Sequence, residues 1–215
     1  MKLRNLIYVT AAATMAMFTS CNSSSENDNA QASSDKFELV TVADIATENI
    51  MTRKSVRKFL DEPIPKDVLE SVLKAGMAAP SAMNRQPWAI GVIDDKSILE
   101  KMSEKLPYGR LETAPVAIVI CGDLNKSPEG EAQDFWVVDC SMMAENILLA
   151  AHAHGLGAVF TGAWPTKERG EIVKEFLSIP DNYVVLGVIP MGYPAENPEP
   201  KDKWNPDAVH YNVWK

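Results

Sequence analysis

Three histidines in 215 residues leave little material for a metal centre. His152 and His154 stand two positions apart near the end of a predicted helix, where they point to different sides, and His210 is remote in sequence. Without a close cysteine/histidine cluster, no zinc site is expected. No Gly-x-Ser-x-Gly motif is present, which removes the common serine-hydrolase elbow. Basic charge is also short: 21 Lys and Arg face 29 Asp and Glu, for a formal net charge of -8. A general nucleic-acid binder needs a basic stripe that this balance does not supply, and any anionic ligand must be met by local cations. The glycine pattern of a dinucleotide fold fails as well. Gly155 and Gly157 begin it, but Phe160 stands where the third glycine belongs, and the motif follows a helix instead of a strand.

The apolar run from Leu6 to Phe18 is shorter than the roughly 20 residues a membrane-spanning helix requires. Preceded by Lys2 and Arg4 and followed by Thr19-Ser20-Cys21, it reads as an export signal. A cysteine directly after small residues resembles a bacterial lipobox, with Cys21 as the acylated first residue of a cell-envelope or periplasmic lipoprotein. The alternative is an ordinary secretory signal with an incidental cysteine. Residues 1–20 are thus assigned as signal peptide and 21–35, polar and without periodicity, as a flexible tether. Cys121 and Cys140 remain, in a compartment where a bridge can persist; Cys121 ends a strand-like run and Cys140 lies in a predicted helix, which favours two separately buried thiols.

Residues 36–215 carry one domain. Leu39, Val42, Ile45 and Ile50 predict a first helix to Met51. Pro65 fits the first position of a second helix running to about Ala79, with Val68, Leu69, Val72 and Leu73 on one face. Strands are predicted over 88–93, 116–120, 157–162 and 184–189, and helices around Ile98–Met102, Asp134–His154 and Thr166–Leu177. The unbroken apolar run Val116–Ile120 suits a strand covered on both faces. Trp204, Tyr211 and Trp214 sit in a tail too short for its own core, so they need a surface on the same subunit or on a partner.

One stretch, Arg53 to Trp88, carries the chemistry. Arg53, Ser55 and Arg57 alternate, so an extended backbone sets two guanidinium groups and a hydroxyl on one face, an arrangement that fits a phosphate monoester. Taken alone, the tripeptide is also an ordinary basic turn. Downstream comes Pro80-Ser81-Ala82-Met83-Asn84-Arg85-Gln86-Pro87-Trp88.

Together with Gly155–Gly162 and Gly192-Tyr193-Pro194, these segments resemble the nitroreductase family of flavin enzymes, over roughly Leu39 to Trp214. The resemblance implies an α+β fold with a mixed, mainly antiparallel sheet flanked by helices, and a homodimer with a domain-swapped C-terminal arm. It implies FMN, with the phosphate on Arg53, Ser55, Arg57 and Lys203, and Lys54 touching the flavin through its backbone. Pro80, Ser81, Ala82, Met83 and Asn84 would lie against a flavin shared between subunits, and the Thr161 and Gly162 amides would approach the ring. FMN would carry electrons in two half-reactions from a small-molecule donor to nitroaromatics, quinones or similar acceptors, with no protein nucleophile or base. Export separates the chain from cytosolic nicotinamide donors and leaves the donor open. Tyr108, Gly109 and Arg110 form either a loop over the ring or a plain surface turn. The rival reading is a catalytically silent flavin- or ligand-binding surface lipoprotein.

Overall fold

The computed structural model describes residues 41–214. The assigned signal peptide, Cys21, the tether and Leu39 lie outside the described residues. Helix α1 (Val42–Thr52) opens on a capping box in which the Asp44 amide donates to the Thr41 hydroxyl and the Thr41 amide donates to Asp44, at 3.1 and 2.8 Å. It buries none of its own residues: Val42, Ile45, Ile50 and Met51 all stay exposed. Helix α2 (Lys66–Met77) begins one place later than expected. Pro65 is its extended N-cap, and the helix closes at Met77, where the Ala78 amide donates to the Lys74 carbonyl at 3.1 Å.

The sheet comprises β1 (Trp88–Ile93), β2 (Val116–Asp123), β3 (Gly157–Ala158), β4 (Thr161–Gly162) and β5 (Tyr183–Gly192), with helices α3 (Lys96–Lys105), α4 (Phe135–Ala153) and α5 (Lys167–Leu177) between them. Strand order is β1-β2-β5-β3, with β4 also on β5, and every strand pair is antiparallel. A single parallel bridge, Ser55 to Ala158, makes the sheet mixed. The α+β architecture is therefore the one anticipated.

All eight residues of β2 are buried. Ile118 and Ile120 face the layer of α2 and α4, with Val72, Trp136, Met143 and Ile147; Ala117, Val119 and Cys121 face α3 and α5, with Leu99, Met102 and Val173. Covered on both sides, the strand has no polar face to present. In β5 the phase changes at Leu186, an extra residue between Gly187, opposite Ile120, and Val185, opposite Cys121.

The single strand expected over 157–162 is two pieces. Phe160 leaves the sheet and lays its ring beside Gly187, where a Cβ would come within 2.6 Å of the ring. The cysteines are separate free thiols: the Cys140 Sγ–H donates to the Cys121 carbonyl at 3.6 Å, and burial pushes both thiols up to about 12.

Candidate functional site

Val56 explains why its neighbours Ser55 and Arg57 turn away from the core. It is buried, its amide donates to the Ala158 carbonyl at 3.1 Å, and its side chain lies so close to Gly157 that a Cβ there would come within 2.6 Å. With Val56 committed to the core, the alternation of an extended chain turns Ser55 and Arg57 the other way. The chain after β5 then pairs with the same segment. Leu60 donates to Tyr193 and Ala195 to Lys58, both at 2.9 Å, the Arg57 amide donates to Glu196 at 2.7 Å, and Lys54 donates to the Asn197 side chain.

This pairing brings residues far apart in sequence to one cleft of about 480 Å³, lined by Arg53, Lys54, Ser55, Arg57, Lys201 and Lys203, with Ile50, Met51 and Trp204 as apolar walls. Five cationic side chains face one lining carboxylate, Glu199, in a chain whose net charge is -8. Arg53 Nε is paired with Glu145 on α4 at 3.3 Å, and Arg57 donates to the Ser55 carbonyl at 3.3 Å. Such a donor set fits a phosphate dianion: the guanidinium groups of Arg53 and Arg57 supply forked donors, and the lysines add point charges. Lys203 lines this cleft. Lys201, passed over on sequence grounds, lines the cleft beside it.

His152 is half-buried and hydrogen-bonded to Thr52, Nε2 to Oγ1, at 2.9 Å. The Thr52 hydroxyl gives its own proton to the Glu48 carbonyl at 2.6 Å, so His152 is the donor. Burial first, then the charges of Lys54 and Arg53, lower its pKa.

Pro80–Asn84 does not line this cleft; its Ala82–Asn84 part is a one-turn 3-10 segment that exposes Met83 and Asn84. Met83, Asn84 and Gln86 adopt φ of 51°, 54° and 49°, left-handed values that cost a side-chain-bearing residue roughly 1–3 kcal/mol each. Besides the backbone bonds from the Asn84 and Arg85 amides to the Ser81 and Ala82 carbonyls, three bonds to side chains hold the turn: the Gln86 amide to Ser81 Oγ at 3.0 Å, the Gln86 side chain to Asn84 at 3.0 Å, and the Ala82 amide to Asp139 Oδ1 at 2.9 Å. Asp139 is 2% exposed, and its Oδ2 finds no partner among the described residues. Sequence reasoning missed Asp139, although it falls three places after Trp136 and four before Met143, on the apolar stripe of α4, where an acid is out of place.

Thr161 and Gly162 line a second cavity together with Tyr108 and Gly109. The chain thus presents three places: the basic cleft, the strained turn and the β4 cavity. Among the described residues no cluster of His, Cys, Asp and Glu is arranged to hold a metal.

The chain belongs to the nitroreductase family, whose model matches residues 50–107 and 101–193. A Methanothermobacter thermautotrophicus protein provisionally named NADH dehydrogenase/NAD(P)H nitroreductase is 45% identical over 170 residues, 78% of this chain and 86% of that one. The NADPH-flavin oxidoreductase of Vibrio harveyi is 32% identical, over 78% of this chain and 74% of that protein. A Bacteroides thetaiotaomicron crystal structure with the same provisional name as the first superposes with a TM-score of 0.75 at 42% identity, covering 79% of this chain and 98% of that one. The fold is nitroreductase-like, and the family membership makes the chain a flavin-type oxidoreductase.

Proposed function

We propose that the protein is an FMN-dependent oxidoreductase that reduces small conjugated acceptors, nitroaromatics and quinones among them, in two half-reactions at one site. The observation that carries this reading is the convergence of Arg53, Ser55, Arg57, Lys201 and Lys203 on one cleft. When bound, FMN supplies the reversible two-electron chemistry. The chain's own groups bind and orient. Arg53, Arg57 and Lys203 neutralise the phosphate, the Ser55 hydroxyl donates to it, and the Lys54 backbone, with the Thr161 and Gly162 amides, offers donors where negative charge grows on reduction. Pro80–Asn84 is assigned to the flavin of a second subunit. The exposure of Phe135, Val138 and Met142 on α4, and of Trp204, Tyr211 and Trp214 in the tail, supports a homodimer in which these faces are covered.

The N-terminal pattern supports export and acylation at Cys21, which would place the enzyme on a membrane surface by its lipid alone. No helix among the described residues is long and apolar enough to cross a membrane. The physiological donor must then be one available in that compartment.

The test is direct. Purified protein should be yellow, and after anaerobic reduction with dithionite it should be reoxidised by a nitroaromatic or a quinone. Arg53→Ala combined with Arg57→Ala should lower flavin affinity at least about a hundredfold, from the loss of two charge-assisted contacts, without loss of fold. A colourless protein that cannot be loaded with FMN overturns the proposal. A yellow protein that no acceptor reoxidises supports a silent flavin binder instead.

A further inference from the structure

Asp139 is a carboxylate on a face of α4 that otherwise belongs to the core. Trp136, Cys140 and Met143 share that buried stripe, and Asp139 is buried with them. Its Oδ1 accepts the Ala82 amide at 2.9 Å, while Oδ2 has no partner among the described residues. Burying a carboxylate with half of its acceptor capacity unused opposes folding, so a position that had only to be filled would hold an apolar side chain. Asp139 serves something other than packing.

What it serves is the turn on the far side of that hydrogen bond. The other bonds of residues 81–86 run from one turn residue to another and move with the turn. Among the described residues, Ala82 to Asp139 is the one hydrogen bond that ties it to another element. Left-handed residues with side chains persist only where their surroundings fix them, and such strain gathers where a surface is held ready for a ligand. The internal bonds also sort the polar groups. Ser81 and Asn84 each accept from Gln86 through oxygen, which leaves the Ser81 hydroxyl hydrogen and the Asn84 amide hydrogens free to donate.

We propose that Asp139 is a positioning residue: through Ala82 it fixes the left-handed turn so that Ser81 and Asn84 present donors to the flavin of a second subunit, and it thereby sets how much more tightly reduced FMN is held than oxidised FMN. Donors aimed at a ring that gains negative charge on reduction favour the reduced form. The second half of this proposal rests on the flavin reading; the anchoring of the turn does not.

Two measurements test it. Trypsin cuts after Arg85, which is exposed in the turn, and cleavage there follows the population in which the turn has opened. In Asp139→Ala the cut at Arg85, identified by mass spectrometry, should accelerate at least about tenfold, with Asp139→Asn close to wild type. Met143→Ala, a core variant of the same helix, controls for general loss of stability and should leave that cut within about twofold. Asp139→Leu fills the space without an acceptor and repeats the test if the void left by Ala unfolds the chain. In FMN-loaded protein, Asp139→Ala should lower the preference for reduced flavin about tenfold, a midpoint potential about 30 mV more negative for a two-electron couple, and Asn should restore most of it. An Arg85 cut no faster in Asp139→Ala or Asp139→Leu than in wild type overturns the anchoring, with or without flavin. A faster cut with an unmoved potential overturns the link to the flavin, and a shift as large in Asn as in Ala makes charge the agent and overturns positioning. A protein that takes up no FMN overturns the flavin role together with the flavin reading, and the trypsin assay then still decides the anchor.

Discussion

At the Trp88 end of the Arg53–Trp88 stretch, Asp139 of α4 takes the Ala82 amide at 2.9 Å and is 2% exposed; at the Arg53 end, Glu145 of the same helix takes Arg53 Nε at 3.3 Å, with its side chain 51% exposed. Six residues separate the two acids, about 9 Å of helix rise and roughly 240° of rotation, so one looks into the core and the other out of it. The consequence is a fixed end and an adjustable one. A buried acceptor can keep three left-handed residues in place, while an acid open to solvent orients the half-buried Arg53 side chain. Asp139→Ala therefore carries the largest expected effect. It leaves the Ala82 amide without its partner and opens a small void, for a loss of about 2–3 kcal/mol in denaturant unfolding. Asp139→Asn keeps the acceptor and should lose much less. If Ala and Asn prove equally mild, the turn holds itself and the contrast between the ends disappears.

Glu145→Gln probes the other end and should hardly touch stability, by about 0.2–1 kcal/mol, because solvent and salt already screen the pair. Its effect belongs in cofactor binding. Without the charge on Glu145, Arg53 loses a competitor for its guanidinium but also the contact that aims it. Flavin affinity should change by less than about tenfold and become more dependent on ionic strength, because the cleft then carries one more uncompensated positive charge. A collapse of affinity to the level of the Arg53/Arg57 double variant would make Glu145 as firm an anchor as Asp139 and remove the distinction.

How much of this could be read from the chain varies with the range of the interactions involved. The β2 strand and α4 are legible because their pattern is local: an unbroken apolar run for one, threes and fours ending at Gly155 for the other. Gly155 indeed takes φ +74° just past the helix. The break in the 157–162 strand is not legible, since it depends on Gly187, some 27 positions away, leaving room for Phe160. The basic cleft is half-legible. The alternation of Arg53, Ser55 and Arg57 is written in sequence, but Lys201 enters only because residues 193–197 pair with 54–60, a register no periodicity reveals. Asp139 meets a different obstacle. It looks like an ordinary helical charge until the helix is docked and one face of it is known to be covered.

The smallest expected effect lies beside the Arg53 end, where His152 ties α4 to α1 through Thr52. Its folded pKa is depressed below 6.5, chiefly by burial and then by Lys54 and Arg53, so protonation favours the unfolded chain. The stabilising contribution of neutral His152 is thus complete above about pH 6.5 and declines as pH falls below that value toward the folded pKa, because there the unfolded state binds the extra proton. Asp44 and Asp95, held below their usual range by hydrogen bonds from Thr41 and Ser97, act in a separate window: their contribution fades only as pH drops below about 3.8. Urea midpoints collected between about pH 5 and pH 8 should therefore slope downward toward acid in the wild type and flatten in His152→Gln, which keeps a donor for Thr52 but cannot titrate. Parallel curves for the two proteins would remove His152 from the balance. A change of slope on loading FMN would show instead that the phosphate has altered the field of Arg53 and Lys54 at this ring, and would link the adjustable end of the site to proton binding.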